Sequence, residues 1–159
     1  MLLEFNLNNA EEGELFPFQN STIDDKGDIV WDDPILDHTT KKPIAMVGIR
    51  SMTPFFEERI KERKMVVEHV FNPKSKGMDR DRHPKDLTFE EAQAERNDAY
   101  DYAITSLEGF KAKGGGVITC TRENKLALMK NPVFDRFFAK CQQMLANSSV
   151  EQVEMESKN

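Results

Sequence analysis

Apolar and polar positions alternate with period two at the front of the chain. Leu3, Phe5 and Leu7 are separated by Glu4 and Asn6, the pattern of a half-buried strand. Asp24-Asp25-Lys26-Gly27 has turn chemistry and leads into the short apolar run Ile29-Val30-Trp31. Asp33-Pro34 and Lys42-Pro43 punctuate the next stretch, and Ile44-Ala45-Met46-Val47-Gly48-Ile49 is a continuous apolar run of strand length. Residues 1–50 are therefore expected to form a small antiparallel meander of three or four strands.

The period then changes. Thr53 before Pro54 suits a helix N-cap with proline in the first turn, and Glu57 and Glu58 come next, where the helix dipole favours acids. Phe56, Ile60, Val67 and Phe71 recur at helical spacing, which predicts a helix over 54–71, with Arg63 breaking its stripe. Asn72-Pro73 stops it. Residues 72–86 hold two prolines, a glycine and almost no apolar residue, and read as an exposed basic loop. A second helix is predicted from Leu87 to about Leu107, opened by Thr88 and Glu91 at capping-box spacing. Gly114-Gly115-Gly116 is a turn, and Val117–Cys120 is a short extended piece. Thr121 and Asn131 are N-caps for helices over 122–130 and 132–146, the second with Pro132 at its first position. The pattern describes an α+β chain in three parts. These are an acidic β-containing front (1–50), a module of about four helices carrying the basic loop (51–147), and an unfolded acidic tail (148–159).

Charge sharpens this division. Of a net −6 over 159 residues, residues 1–40 carry −9 and residues 41–85 carry +6. Opposite blocks of this kind can neutralise each other within one molecule or between copies. The basic segment contains Arg59, Arg63, Lys74, Lys76, Arg80 and Arg82, but Glu58, Glu62, Glu68, Asp79 and Asp81 dilute it, which argues against nucleic acid as the partner. No apolar run is long enough to cross a membrane. The N-terminus carries acids where a signal peptide would carry bases. The two cysteines, Cys120 and Cys141, read as free thiols in a reducing compartment. Composition thus points to a soluble intracellular protein.

Candidate chemistry is sparse. His38, His69 and His83 are far apart, and no CxxC, HxxxH or HExxH spacing is present, so no metal or cofactor is expected. No Gly-x-Ser-x-Gly elbow is present, and the glycines after Lys113 are not followed by the Lys-Ser/Thr of a phosphate-binding loop. Cys120 precedes a helix start that could lower its pKa, but a strand-end packing role is the simpler reading. Nothing in these patterns points to an enzyme.

Two stretches carry a family likeness. Gly27-Asp28-Ile29-Val30-Trp31 leads into Asp33-Pro34-Ile35-Leu36-Asp37-His38-Thr39-Thr40-Lys41-Lys42-Pro43 and then a hydrophobic strand. Later, a segment ending in Gly109-Phe110 is followed by a glycine turn and Val117-Ile118. Then come Thr121-Arg122-Glu123-Asn124-Lys125-Leu126-Ala127-Leu128-Met129 and Asn131-Pro132-Val133-Phe134-Asp135-Arg136-Phe137-Phe138. This arrangement resembles the small tail assembly chaperones of long-tailed bacteriophages over about two-thirds of the chain, with the basic loop and the long acidic front as departures. The resemblance implies a non-enzymatic factor of the host cytoplasm. Such a factor coats the apolar helices of the tape-measure protein, or another tail protein, until tail-tube subunits assemble around them, and self-association would suit that role. Apolar helix faces and soft methionines, eight here, are what such a task requires. The candidate partner-binding residues are Phe137, Phe138, Met144, Arg59 and Arg63. Phe134 and Phe138 share the 134–138–141–145 line expected to face the core. Phe137, one step off that line, is the stronger candidate to face a partner. Two other functions fit the charge pattern. One is a phage-encoded acidic inhibitor imitating DNA with Asp24, Asp25, Asp28, Asp32, Asp33 and Asp37. The other is a small nucleic-acid-binding protein using residues 59–85.

Overall fold

The computed structural model describes residues 13–158, with side chains described as far as residue 148. The strand predicted at Leu3, Phe5 and Leu7 lies outside the described residues. In chain order the elements are β1 (Glu14–Pro17), β2 (Ser21–Ile23), β3 (Ile29–Trp31), β4 (Met46–Ile49), α1 (Thr53–Glu62), β5 (Met65–Asn72), β6 (Gly77–Pro84), α2 (Phe89–Ala103), β7 (Ile104–Glu108), α3 (Arg122–Met129) and α4 (Pro132–Lys158). The fold is α+β, with four helices and antiparallel sheets among the described residues.

The strands of the front do not follow one another as a meander. The central sheet has the order β1-β4-β7, and β2 pairs only with β3. The run Met46–Ile49 is apolar throughout because β4 is the middle strand: Val47 and Ile49 are wholly buried, and β4 pairs antiparallel with β1 on one side and β7 on the other. The helix predicted to reach Leu107 ends at Ala103, where the chain passes directly into β7. Ile104, Thr105 and Leu107 favour a strand once β4 offers its free edge. The capping box at the other end of α2 is complete, with the Thr88 hydroxyl accepting from Glu91 N–H and the Glu91 carboxylate from Thr88 N–H.

The largest departure lies between 53 and 86. Helix α1 starts after Met52 rather than at a Thr53 cap and stops at Glu62. Residues Met65–Pro84, expected as the end of a helix and an exposed loop, form one regular antiparallel hairpin, β5–β6. Val66, Val67, Val70 and Phe71 are β-formers, and Asp79-Arg80-Asp81-Arg82 alternates with the period of a strand. The turn between the strands is closed by the Lys76 N–H donating to the Asn72 carbonyl at 2.9 Å, with Lys76 in the left-handed region at φ 55.

Helix α4 organises the rest. Thr121 and Asn131 cap α3 and α4 as the sequence indicates: the Asn124 N–H donates to Thr121 Oγ1 and the Val133 N–H to Asn131 Oδ1. The apolar stripe of α4, Phe134, Phe137, Phe138 and Cys141, is buried against Phe16, β4, Ala103, Ile104, Leu107 and Met129. Its backbone continues as a helix to Lys158, past the end expected near residue 146. Polar side chains of α4 fasten the front of the chain to it. Arg136 donates to the hydroxyl and carbonyl of buried Ser21, and Lys140 donates to Gln19 at 2.7 Å while lying 4.4 Å from the centre of the Trp31 ring. Gln142 donates to the Arg50 carbonyl and accepts from the Met52 N–H.

Candidate interaction surfaces

The five residues singled out from the sequence do not form one surface. Phe137 and Phe138 are 1% and 2% exposed and belong to the core, so neither can face a partner in the folded chain. Phe137 is enclosed by Phe18 at 5.0 Å and Phe134 at 6.2 Å between ring centroids, and Phe138 meets the edge of Tyr100 at 5.6 Å. The stripe on α4 is wider than the 134–138–141–145 line suggests. Phe18, from the connection between β1 and β2, fills the flank where Phe137 points. Met144 is 46% exposed on the same helix.

Arg59 and Arg63 are committed to contacts within the molecule. Arg59 reaches Asp98 of α2 at 3.4 Å with its guanidinium 4.9 Å from the centre of the Phe55 ring, and Arg63 pairs with Glu95 of α2 at 2.6 Å. Arg122 joins the same group, pairing with Asp98 at 2.7 Å and Asp101 at 3.4 Å. The hydrogen bond to the Asp98 carboxylate raises the Arg122 pKa. Lys125, buried beneath it, donates to the backbone carbonyl and carboxylate of Asp101. These charges tie α1 and α3 to α2. Sequence spacing could not reveal them, because the partners are more than twenty positions apart.

Two of the six front aspartates expected as phosphate mimics serve turns instead. Asp24 Oδ1 accepts from the backbone N–H groups of Lys26 and Asp28, and Asp37 Oδ1 from those of Thr39 and Thr40. The Thr40 and Thr39 N–H groups hold the Asp37 carboxyl below its ordinary pKa. Cys120 is exposed and Cys141 buried, both as free thiols; burial pushes the Cys141 pKa up to about 12, so it stays protonated. Among the described residues no group of three or more His, Cys, Asp or Glu side chains could hold a metal ion, and no helix is long and apolar enough to cross a membrane.

A groove of about 470 Å³ lies where the end of the central sheet meets α3 and α4. Its floor is Phe18, Phe110, Leu128 and Phe134, and Ile35, Ile44 and Val133 form its walls. Asn20, Asp33, Lys111 and Asn131 stand at polar positions around it. The isolated pairing of Leu36 with Pro43 and the Ile44 N–H bond to the Ile35 carbonyl fold the 35–44 loop over one side. Gly109 closes the other side at φ +80, where its backbone lies so close to Ile44 that a side chain could not be accommodated. Ile35 is 72% exposed and Ile44 about half exposed, so apolar wall meets water here. The sequence marks this site only through the Asp33-Pro34 and Gly109-Phe110 turns, which say nothing of their meeting. No protein-family model, curated protein or solved structure matches the chain.

Proposed function

We propose that the chain is a non-enzymatic, protein-binding assembly factor, a tail assembly chaperone-like protein that shields apolar segments of a tape-measure or other tail protein. The observation that carries this reading is the groove between the sheet end and α3–α4, with Ile35 and Ile44 exposed on its walls and aromatic rings on its floor. An apolar wall rimmed by polar groups suits the side chains of a partner segment, which would otherwise meet water. The role first expected of Phe137 and Phe138 therefore passes to residues outside the core.

The test uses the full chain and a fragment of a phage tape-measure protein. Light scattering follows aggregation of the fragment with and without the chaperone. Ile35→Glu and Ile44→Glu alter exposed positions, so each should leave the thermal melt within about 0.5 kcal/mol of the parent. Both should abolish the suppression of scattering. Variants that fold and suppress as well as the parent would overturn the assignment to this groove.

A further inference from the structure

The β5–β6 hairpin divides its charges by face. Its register pairs Met65 with Pro84, Val67 with Arg82, His69 with Arg80 and Phe71 with Met78, and these side chains share one side. The alternate pairs, Val66–His83, Glu68–Asp81, Val70–Asp79 and Asn72–Gly77, share the other. The Asp-Arg-Asp-Arg run therefore sends both arginines to the first face and both aspartates, joined by Glu68, to the second. Contacts agree with this sorting: His83 meets Glu68 at 3.5 Å and Asn72 donates to Asp79 at 2.6 Å, both within the acidic face. Among the described residues Arg80 and Arg82 enter no ion pair.

Neither face is covered. The hairpin packs on itself and barely touches the other elements, held at its base by the Lys85 N–H bond to the Lys64 carbonyl. Phe71 and Met78 are 58% and 62% exposed on the basic face, and Val70 is about half exposed on the acidic one. A two-stranded hairpin wet on both faces is marginal in water, and stacking on another sheet is the ordinary remedy, at about 10 Å separation.

We infer that the hairpin is a self-association arm, the basic apolar face of one copy stacking on the acidic face of a second copy of this chain. Arg80 and Arg82 would meet Asp79, Asp81 and Glu68, and Phe71 and Met78 would cover Val70. The complement to each face is carried by the same arm, and the carboxylates one sheet-thickness away disfavour a phosphate backbone. Because the two faces are different surfaces, the contact is heterologous and leaves a free face at each end, so copies add in a row. Eight-residue strands give a face roughly 26 Å long, well short of a standard interface, so each contact is weak and depends on concentration and salt. This arm shares no residue with the groove lining, and the inference does not rest on the groove.

Sedimentation velocity of the full chain tests it, from ~10 to ~500 µM, at ~20 mM and ~500 mM salt. The weight-average mass should rise with concentration at low salt and return towards the 18.3 kDa monomer at high salt. Arg80→Glu/Arg82→Glu makes both faces acidic, and Asp79→Lys/Asp81→Lys makes the second face basic. Each should stay monomeric with an unchanged circular dichroism spectrum. An equimolar mixture of the two should associate again, since every contact is then between opposite charges. A parent that stays monomeric throughout, variants that associate like the parent, or a mixture that fails to associate would overturn the inference. So would binding of a DNA or RNA oligonucleotide lost with the arginines while self-association is untouched.

Discussion

Replacing Phe137 with alanine separates architecture from recognition at one residue. The side chain is 1% exposed and its ring meets Phe18 edge-on at 5.0 Å and Phe134 at 6.2 Å. Returning a buried phenylalanine to water costs about 1.5–3 kcal/mol. Each lost ring–ring contact adds about 0.5–1.5 kcal/mol, offset where neighbours relax into the space. The net loss is roughly 3–5 kcal/mol, in line with measured phenylalanine truncations. Native domains hold about 5–15 kcal/mol in total. At about 2–4 °C per kcal/mol for a chain of this size, the melting temperature should fall by roughly 6–20 °C. Thermal melts by circular dichroism, with urea midpoints alongside, measure the loss. Met144→Ala, at an exposed position of the same helix, should stay within about 0.5 kcal/mol of the parent. If Phe137→Ala melts with the parent and loses only its protein partner, the packing assigned to α4 is wrong.

Gly109→Ala should destabilise more than Gly114→Ala. Both glycines have positive φ, which costs a side chain about 1–2 kcal/mol, but only at Gly109 does the new methyl run into the backbone of Ile44 and Ala45; equal urea midpoints would refute the close approach. With a thiol reagent at neutral pH, Cys120 should react at once and Cys141 only after unfolding. The folded chain keeps the Cys141 thiol neutral, with its pKa raised from 9.0 to about 12, so this contribution to stability is complete below pH 9 and is lost as the pH rises towards 12. A Cys141→Val variant should show a shallower decline of the urea midpoint over that window, and an identical decline would count against the buried neutral thiol.

Local signals in the sequence determined the starts of three helices. Thr88 with Glu91, Thr121, and Asn131 with Pro132 each complete a bond within three residues, so no distant partner is needed for the cap to act. The continuous apolar run at β4 likewise foretold a well-buried strand. Register and partnership lay beyond such signals. Ile104–Glu108 continues from α2 without a break and is a strand because β4 presents an edge to it. Met65–Asn72 carries apolar residues that fit a helical spacing as well as an alternating one, and its pairing with Gly77–Pro84 decides between them. That pairing also converts an alternating charge run into two opposed faces, which a loop would not have done. Phe137 is core because Phe18, more than a hundred positions earlier, folds onto its flank. The groove exists because the loop holding Ile35 and Ile44 meets Phe110 and Val133 across the sheet end. Each of these outcomes depends on side chains far apart in sequence filling one space, and only the tertiary structure specifies which ones meet.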